Sequence, residues 1–344
     1  MAGHCTAARC EERGCVLRGG IDLGGTKILA VVVDANSEIL GRARQPTPMA
    51  RGPAVVAEHM AATLTKAAED ADASVSSLGS IGVGAPGYVD STAGTVANAS
   101  SFAGWSAPFP LARRIEEILG PAVVIGNDVD AAVVAEASLG AGRALRSFLG
   151  IWWGTGVGGG LVLDRQLWHG RGVAGEFGHM VIRRRGAPCP CGRRGCIEAY
   201  AGRLAMEQRA RELAEQGVAT ELFSIMEKRG ADRLTSGVWE RALRRGDPLA
   251  VRLVDCAAEA IALGAASTMN LLDLDGFVVG GGLGARLGAP YAQRLADAVQ
   301  PRLFNAERQP TVRVAELGDD AGAVGATLLA PPPAGARPSS QPVD

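Results

Sequence analysis

The chain has 344 residues and a formal net charge of −1, with 35 lysines and arginines against 36 aspartates and glutamates. Its length predicts about two domains, and its near-neutral charge argues against nucleic acid or an anionic membrane as a partner. No run of about 18 apolar residues predicts a membrane span. The seven cysteines are an odd number and follow no apolar signal segment, which argues against a secreted disulfide framework and favours a cytoplasmic protein.

Short apolar runs alternate with helical patterns along the chain, and this alternation predicts an α/β fold. The predicted strands are 16–23, 28–33, 39–43, 79–83, 122–125, 148–153, 160–163 and 276–279. The predicted helices include 54–71, 111–119, 129–137, 203–215, 249–272 and 291–298. Residues 1–15, which contain Cys5, Cys10 and Cys15, are predicted to be a disordered leader, and the proline-rich residues 331–344 a disordered tail.

A glycine turn joins the first two predicted strands. Asp22 ends the first strand, Gly24 and Gly25 form the turn, and Thr26 and Lys27 follow. Backbone N–H groups, a hydroxyl and an ammonium can bind phosphate oxygens, and Asp22 could hold a hydrated Mg²⁺. The pattern is neither a Walker A loop nor a Gly-x-Gly-x-x-Gly turn before a helix, so nicotinamide binding is disfavoured.

A second glycine turn repeats this pattern about 130 residues later. Gly154, Thr155 and Gly156 again separate two predicted strands. The repeat predicts two similar halves, each giving one hairpin loop to a shared cleft, although each turn alone could be an ordinary hairpin. Gly281 lies in a glycine run after strand 276–279, where bare backbone suits a flat base or ribose, and a simple strand–helix turn explains it equally well.

Two polar residues, Asn127 and Asp128, follow the apolar strand 122–125 and open an alanine-rich helix. Both are typical helix N-cap residues. A carboxylate at the end of an α/β strand is also where ligands bind, so Asp128 could accept a proton from a substrate hydroxyl. The Gly84–Asp90 turn after strand 79–83 could line the same cleft or serve only as a turn.

Three cysteines and one histidine within a short segment predict a closed tetrahedral zinc site. The candidate ligands are His179, Cys189, Cys191 and Cys196. Two carboxylates, Glu176 and Glu198, bracket this segment, which suggests a binding surface held in fixed geometry.

These motifs, in this order, resemble the ROK family of sugar kinases and repressors. The resemblance covers about residues 16–329 and rests on Asp-Leu-Gly-Gly-Thr-Lys, Gly-Ala-Pro-Gly-x-Val-Asp, Asn-Asp, Gly-Thr-Gly-Val-Gly-Gly-Gly, Gly-Glu-Phe-Gly-His and Cys-Pro-Cys-Gly-x-x-Gly-Cys-Ile-Glu. It implies two actin-like (ribonuclease H-like) lobes around an interlobe cleft. The implied boundaries are a small lobe at 16–126 plus 313–330, a large lobe at 127–312 and a zinc loop at 179–196.

The resemblance also assigns roles, with Asp128 as general base in an ATP-dependent phosphorylation of a hexose 6-hydroxyl. The implied sugar contacts are Asn127, Glu176, His179, Glu198, Gly84 and Ser101. The implied contacts to ATP and Mg²⁺ are Asp22, Gly24, Gly25, Thr26, Lys27, Gly154, Thr155, Gly156 and Gly281. The implied ligands of a structural Zn²⁺ are His179, Cys189, Cys191 and Cys196.

Some residues depart from the family pattern and bear on the choice of sugar more than on the reaction. Asp130 and Ser101 stand where Asn is usual, and Trp152 and Trp153 stand where smaller residues are usual. Glucose is the expected acceptor, with N-acetylglucosamine, N-acetylmannosamine and fructose as alternatives. A sugar-responsive repressor is disfavoured because only about twenty residues precede Asp22, and a polyphosphate-dependent kinase because such relatives lack the cysteine cluster. Family resemblance implies a homo-oligomer, either a dimer or a tetramer.

Overall fold

The computed structural model describes residues 16–99 and 102–330. The chain divides into two compact units: the first comprises the described residues up to Ala135 and those from Asp319 on, and the second runs from Glu136 to Gly318. Each unit combines a sheet with helices, which confirms the predicted α/β class. Within the described residues, no helix has both the length and the apolarity needed to cross a membrane.

The strands and helices have the following bounds. The strands are β1 (Leu17–Leu23), β2 (Lys27–Val33), β3 (Ile39–Pro46), β4 (Leu78–Ala85), β5 (Tyr88–Asp90), β6 (Thr95–Ala97), β7 (Val123–Asn127), β8 (Phe148–Trp153), β9 (Val157–Leu163), β10 (Gln166–Leu167), β11 (Gly276–Gly280) and β12 (Thr311–Val314). The α-helices are α1 (Pro53–Asp70), α2 (Leu111–Leu119), α3 (Asp128–Ser138), α4 (Glu198–Ala201), α5 (Arg203–Glu215), α6 (Leu222–Lys228), α7 (Ser236–Arg244), α8 (Pro248–Leu272), α9 (Gly281–Val299) and α10 (Ala321–Leu329).

The two units share one sheet topology. The first has the strand order β3-β2-β1-β4-β7 and the second β10-β9-β8-β11-β12. In each sheet the three strands that come first along the chain pair antiparallel, and the first of them then begins a parallel run with the last two. This repetition agrees with the two similar halves that the repeated glycine turns predict.

Burial explains why the central strands are almost uniformly apolar. All residues of β2 after Lys27 are buried, as expected for a sheet covered on both faces. Helix α10 packs on β1 and β4, and it approaches closely because a Cβ on Gly82 would lie 1.7 Å from the carbonyl oxygen of Ala326. The core of the second unit includes the fully buried Phe148, Trp153 and Phe277.

The largest difference from the predicted elements is helix α9, which begins at Gly281 and not at residue 291. Two helical segments meet at Gly288, whose φ is 65°, and Pro290 follows inside the helix. Glycines and a proline hide the helical pattern of the first segment. Helix α10 is likewise missing from the predicted elements, because it consists mainly of small residues.

Candidate functional site

Four predicted site residues meet at the carboxyl edge of the first unit's sheet. Strand register pairs Asp22 of β1 with Gly84 of β4, and Asn127 ends the neighbouring strand β7. A Cβ on Gly84 would lie 3.3 Å from the Cβ of Ala131 and 3.4 Å from the Cα of Asp128, so the first turn of α3 packs against β4 at this glycine. This edge of parallel strands is where α/β proteins bind ligands.

Asn127 is the N-cap of helix α3. Its Oδ1 accepts hydrogen bonds from the N–H groups of Val129, at 2.9 Å, and Asp130, at 3.2 Å. The Asp128 carboxylate also accepts from Val129 N–H, at 3.0 Å. The capping function expected for this pair is therefore present, and the cap fixes Asp128 in the first turn of the helix.

Asp22 lies in a strongly perturbed environment. Burial, the nearby negative charge of Asp128 and, more weakly, that of Asp319 raise the pKa of Asp22 to about 7, against a lowering effect of Lys27. A Cβ on Gly322 of α10 would lie 2.7 Å from Asp22 Cγ, so the helix packs directly against this carboxyl group. A perturbed carboxyl beside a second carboxylate marks a functional-site candidate.

The β1–β2 turn is a tight hairpin. Gly24 N–H donates to the Lys27 carbonyl at 3.0 Å, so this N–H closes the turn and the N–H groups of Gly25 and Thr26 become the candidate anion donors. Thr47 steadies the turn by donating its hydroxyl proton to the Gly24 carbonyl at 2.7 Å. Gly25 and Thr26 are exposed.

Lys27 has a carboxylate partner that the sequence patterns did not reveal. Its Nζ lies 2.5 Å from Asp319 Oδ2, and this hydrogen bond, against a smaller effect of burial, lowers the pKa of Asp319. Asp319 lies two residues before the start of helix α10, and the only signal for it was a pair of aspartates before a run of small residues. The contact places a carboxylate beside the cation of the first hairpin.

The β8–β9 turn is also closed by a glycine N–H, but it is one residue shorter than the β1–β2 turn. Gly154 N–H donates to the Gly156 carbonyl at 3.0 Å. Glu198 of α4 supports this turn, since its Oε2 accepts from Val157 N–H at 2.9 Å. A Cβ on Gly156 would lie only 2.2 Å from the same Oε2. The predicted sugar ligand Glu198 thus also contacts the predicted phosphate loop.

Gly281 begins helix α9 with a φ of 78°, in a backbone conformation that favours glycine. A Cβ there would lie 2.7 Å from the Trp153 carbonyl oxygen, so the glycine run packs closely against the end of β8. Trp153 is fully buried and donates its indole N–H to the Ala201 carbonyl at 2.7 Å, whereas Trp152 is only partly buried. Trp153 is therefore a core residue.

The four candidate metal ligands converge in the second unit. The ligand atoms of His179, Cys189, Cys191 and Cys196 all lie within 4.8 Å of one another. His179 Nδ1 is 3.7 Å from Cys189 Sγ, and Cys191 Sγ is 3.7 Å from Cys196 Sγ. A tetrahedral zinc with Zn–S bonds of about 2.3 Å separates its sulfur ligands by about 3.8 Å, so the donor set and its spacing fit a zinc ion.

Electrostatics favour a thiolate in this cluster. Slight burial would raise the pKa of Cys191, but hydrogen bonds from the backbone and side chain of Arg193 and from the neighbouring thiols lower it to about 6. A thiolate is the form of cysteine that binds metals. The cluster can therefore hold a metal ion and fix the segment that leads to Glu198.

His179 presents different atoms to the cluster and to the predicted sugar ligand Glu176. Its Nδ1 faces the cysteines, while its Nε2 lies 3.9 Å from Glu176 Oε2. The Glu176 side chain is 57% exposed, so a ligand can reach it. With Nδ1 on a metal, Nε2 would carry the proton and donate outward.

One predicted sugar contact, Ser101, lies outside the described residues, as do Cys5, Cys10 and Cys15. Besides Asp319, sequence reasoning missed Arg203, which opens α5 and donates a hydrogen bond to the Thr155 hydroxyl at 3.0 Å. An arginine in a chain rich in arginine gave no local signal.

Comparisons with known proteins agree on one family. The model of the ROK family matches residues 18–332. The chain is 34% identical to the glucokinase of Halalkalibacterium halodurans, over 90% of this chain and 93% of that protein. It is 32% identical to the N-acetylmannosamine kinase of Haemophilus influenzae, over 89% of this chain and 92% of that protein.

A solved structure supports the same relationship. The ROK family glucokinase of Streptomyces griseus, in complex with glucose and AMPPNP, is 34% identical with a TM-score of 0.75. The match covers 91% of this chain and 99% of that one.

Proposed function

Because this chain belongs to the ROK family, we propose that it is an ATP-dependent sugar kinase that phosphorylates the 6-hydroxyl of a hexose, with glucose as the preferred acceptor. The observation that carries this proposal is the similarity to glucokinases over nearly the whole chain, including one solved with glucose and an ATP analogue. The residues at the carboxyl edge of the first sheet supply the carboxylates that such a reaction needs.

Asp128 is the proposed general base. It accepts the proton of the 6-hydroxyl as that oxygen bonds to the γ-phosphorus and the bond from the γ-phosphorus to the ADP oxygen breaks. Phosphoryl transfer requires mainly positioning and charge stabilisation, so a carboxylate fixed by a helix cap suits this role. When bound, Mg²⁺ would neutralise charge on the phosphates, and Asp22 is the carboxylate that would hold it.

The proposed sugar ligands offer complementary donors and acceptors. Glu176 and Glu198 accept from hydroxyls, and His179 donates from Nε2. Because Asn127 Oδ1 accepts the hydrogen bonds of the helix cap, its amide Nδ2 is the atom that would donate a hydrogen bond to the sugar. Gly84, through its backbone, and Ser101 remain predicted sugar contacts.

The proposed ATP contacts come from both hairpins. The N–H groups of Gly25, Thr26, Thr155 and Gly156 cradle phosphate oxygens, Lys27 adds a positive charge, and Gly24 and Gly154 close the turns. Gly281 lets the base or ribose approach the backbone at the start of α9.

Other features of the proposal follow from the family resemblance. Structural Zn²⁺ would be held by His179 and the three clustered cysteines. The two units would be the actin-like lobes, near 16–126 plus 313–330 and 127–312. The protein would be a cytoplasmic dimer or tetramer.

A coupled assay with ATP and Mg²⁺ across glucose, N-acetylglucosamine, N-acetylmannosamine, mannose and fructose tests the function. We expect turnover with glucose to exceed that with the other sugars. The similarity to an N-acetylmannosamine kinase makes N-acetylhexosamines the second candidate class. No turnover with any of these sugars would contradict the proposal.

The base is tested by Asp128→Asn. We expect kcat to fall by about 10²–10⁴-fold, with sugar binding measured by calorimetry nearly unchanged. Asp130→Asn is the matched control, because it alters a carboxylate in the same helical turn and should keep most of the activity. Equal losses in both variants would show that Asp128 is not the base.

A further inference from the structure

Residues 198–204, which follow the metal cluster, form hydrogen bonds to both sides of the β8–β9 hairpin. The backbone N–H of Arg203 donates to the Gly154 carbonyl at 3.1 Å, and that of Leu204 donates to the Thr155 carbonyl at 3.1 Å. Glu198 supports the other side of the turn through Val157 N–H. The backbone of this segment therefore holds the hairpin independently of the side chain at position 203.

The Arg203 guanidinium makes two further hydrogen bonds. Its Nη1 donates to the Leu234 carbonyl at 2.8 Å, and its Nη2 donates to Thr155 Oγ1 at 3.0 Å. Its Nε–H is buried and has no hydrogen-bond partner among the described residues. Burial lowers the pKa of Arg203, although Glu207 opposes this effect. Leaving one donor of this partly buried cation unsatisfied is unfavourable, which directs attention to what its contact with Thr155 does.

The contact with Thr155 has a chemical consequence. Guanidinium nitrogens can only donate, so Thr155 Oγ1 is the acceptor and keeps its own proton for a second partner. Thr155 is exposed, unlike most residues of β8 and β9. A hydroxyl polarised by an adjacent cation is a strong donor to an anionic oxygen, because charge-assisted hydrogen bonds are shorter and stronger than neutral ones.

We propose that Arg203 is a positioning residue for the nucleotide, which turns the Thr155 hydroxyl toward a phosphate oxygen and polarises it. This inference rests on the proposed function, since it takes the β8–β9 turn to bind the phosphates of ATP. Arg203 acts through Thr155, and the ligand class is a nucleoside triphosphate.

The test measures nucleotide binding and turnover separately. Calorimetry with AMPPNP and steady-state kinetics are compared for wild type, Arg203→Met and Arg203→Lys. We expect Arg203→Met to raise the Kd for AMPPNP and the KM for ATP about tenfold, the loss of one charge-assisted interaction. Arg203→Lys should recover part of this loss, and the KM for the sugar should stay within about twofold of the wild-type value.

A double-mutant cycle with Thr155→Val separates positioning from folding. If Arg203 acts through the hydroxyl, Thr155→Val should weaken AMPPNP binding as much as Arg203→Met does, and the double variant should bind no more weakly than either. Thr155→Ser, which keeps the hydroxyl, should weaken AMPPNP binding less than Thr155→Val does. Arg209→Met is the matched control, because Arg209 lies on the same helix and pairs only with Glu212 among the contacts described.

Two results would overturn the proposal. One is additive losses in the double variant, and the other is an equal rise in the Kd for AMPPNP and in the KM for the sugar with Arg203→Met. Failure of the proposed function is distinguishable: the wild type would then bind AMPPNP without phosphorylating any sugar, and the binding cycle would still decide the role of Arg203.

Discussion

The two glycine hairpins occupy equivalent places in their sheets, but different side chains supply the positive charge near each one. The β1–β2 hairpin is followed by Lys27 at the start of β2, and this cation pairs with Asp319, which lies shortly before α10. The β8–β9 hairpin has no cation in its turn, and Arg203 on α5 supplies one across a hydrogen bond to Thr155. Equivalent hairpins in two similar sheets thus have different cationic side chains beside them. Sequence patterns therefore predict the glycine turns better than they predict the charged residues that contact them.

Removal of the metal should affect the two hairpins most differently. The cluster lies just before the segment that hydrogen-bonds to the β8–β9 hairpin. Structural zinc contributes roughly 10–16 kcal/mol to small zinc-finger folds. We therefore expect Cys196→Ser to lower the free energy of unfolding of the second unit by at least about 3 kcal/mol, and to weaken AMPPNP binding as well as sugar binding. Elemental analysis of wild type should find about one zinc per chain.

The control for metal removal is Cys256→Ser, which alters an exposed cysteine on α8. It should leave the zinc content and the melting temperature unchanged. A zinc-free wild-type protein of full stability would contradict the metal site.

Titration of Asp22 should affect the first unit alone. Its folded pKa of about 7 lies above the ordinary value of 3.8, so its contribution to stability is fully present below pH 3.8 and is lost as pH rises through 7. The full shift corresponds to about 4 kcal/mol, and we expect roughly half of this because Asp22 keeps some solvent access.

Chemical denaturation in buffer without added Mg²⁺, from pH 4 to 8, measures this effect. In the Asp22→Asn variant, the free energy of unfolding should change less with pH than it does in the wild type. The control is Asp232→Asn, at an exposed site in the second unit, which should keep the wild-type pH dependence. Two outcomes would contradict this assignment: a wild-type stability that rises between pH 4 and 7, or the same dependence of stability on pH in the Asp22→Asn and Asp232→Asn variants.

Substituting one glycine of each turn by alanine, at Gly156 or at Gly25, compares how the two hairpins affect sugar binding. A Cβ on Gly156 would lie 2.2 Å from Glu198 Oε2, whereas one on Gly25 would meet nothing within 4 Å. Because a glutamate carboxylate can swing aside, Gly156→Ala should cost little stability but raise the KM for the sugar about 10–100-fold, since it displaces a charged ligand. Gly25→Ala should leave the KM for the sugar near its wild-type value.

Steady-state kinetics with varied sugar, together with thermal melts, check this pair. Equal sugar KM values for the two alanine variants would show that Glu198 does not bind the acceptor in the position described.

The smallest expected effect concerns the cation of the first hairpin. Asp319→Asn removes the partner of Lys27, and exposed ion pairs contribute about 0.2–1 kcal/mol. We expect a slightly lower melting temperature and a KM for ATP lowered by no more than about threefold, because Lys27 no longer has to leave a carboxylate. A marked rise in the KM for ATP would instead indicate that Asp319 itself serves the nucleotide.

The sequence predicted the parts of the molecule that depend on local patterns. The bounds of β8, α2 and α5 match those expected, since periodic apolar residues define them. The metal cluster was predicted from ligand spacing, and its side chains do converge. The start of α9 and helix α10 were missed because glycine and small residues carry no helical pattern.

Contacts between distant segments could not be predicted in the same way. Lys27 and Asp319 are separated by 292 positions, and Arg203 and Thr155 by 48, so no spacing rule relates them. Glu198 was predicted as a sugar ligand, but its hydrogen bond to Val157 N–H depends on how α4 packs against β9. The catalytic role of Asp128 remains a prediction, although its place at the sheet edge supports it.

Glu198 has a consequence for engineering a new acceptor preference. One of its oxygens is already engaged by the backbone of the second hairpin, so any replacement chosen to suit a different sugar would also disturb the nucleotide loop. Among the contacts described, the Glu176 side chain makes no hydrogen bond to the β8–β9 hairpin, and it is more than half exposed. A library meant to broaden substrate range should therefore vary position 176 and leave position 198 untouched.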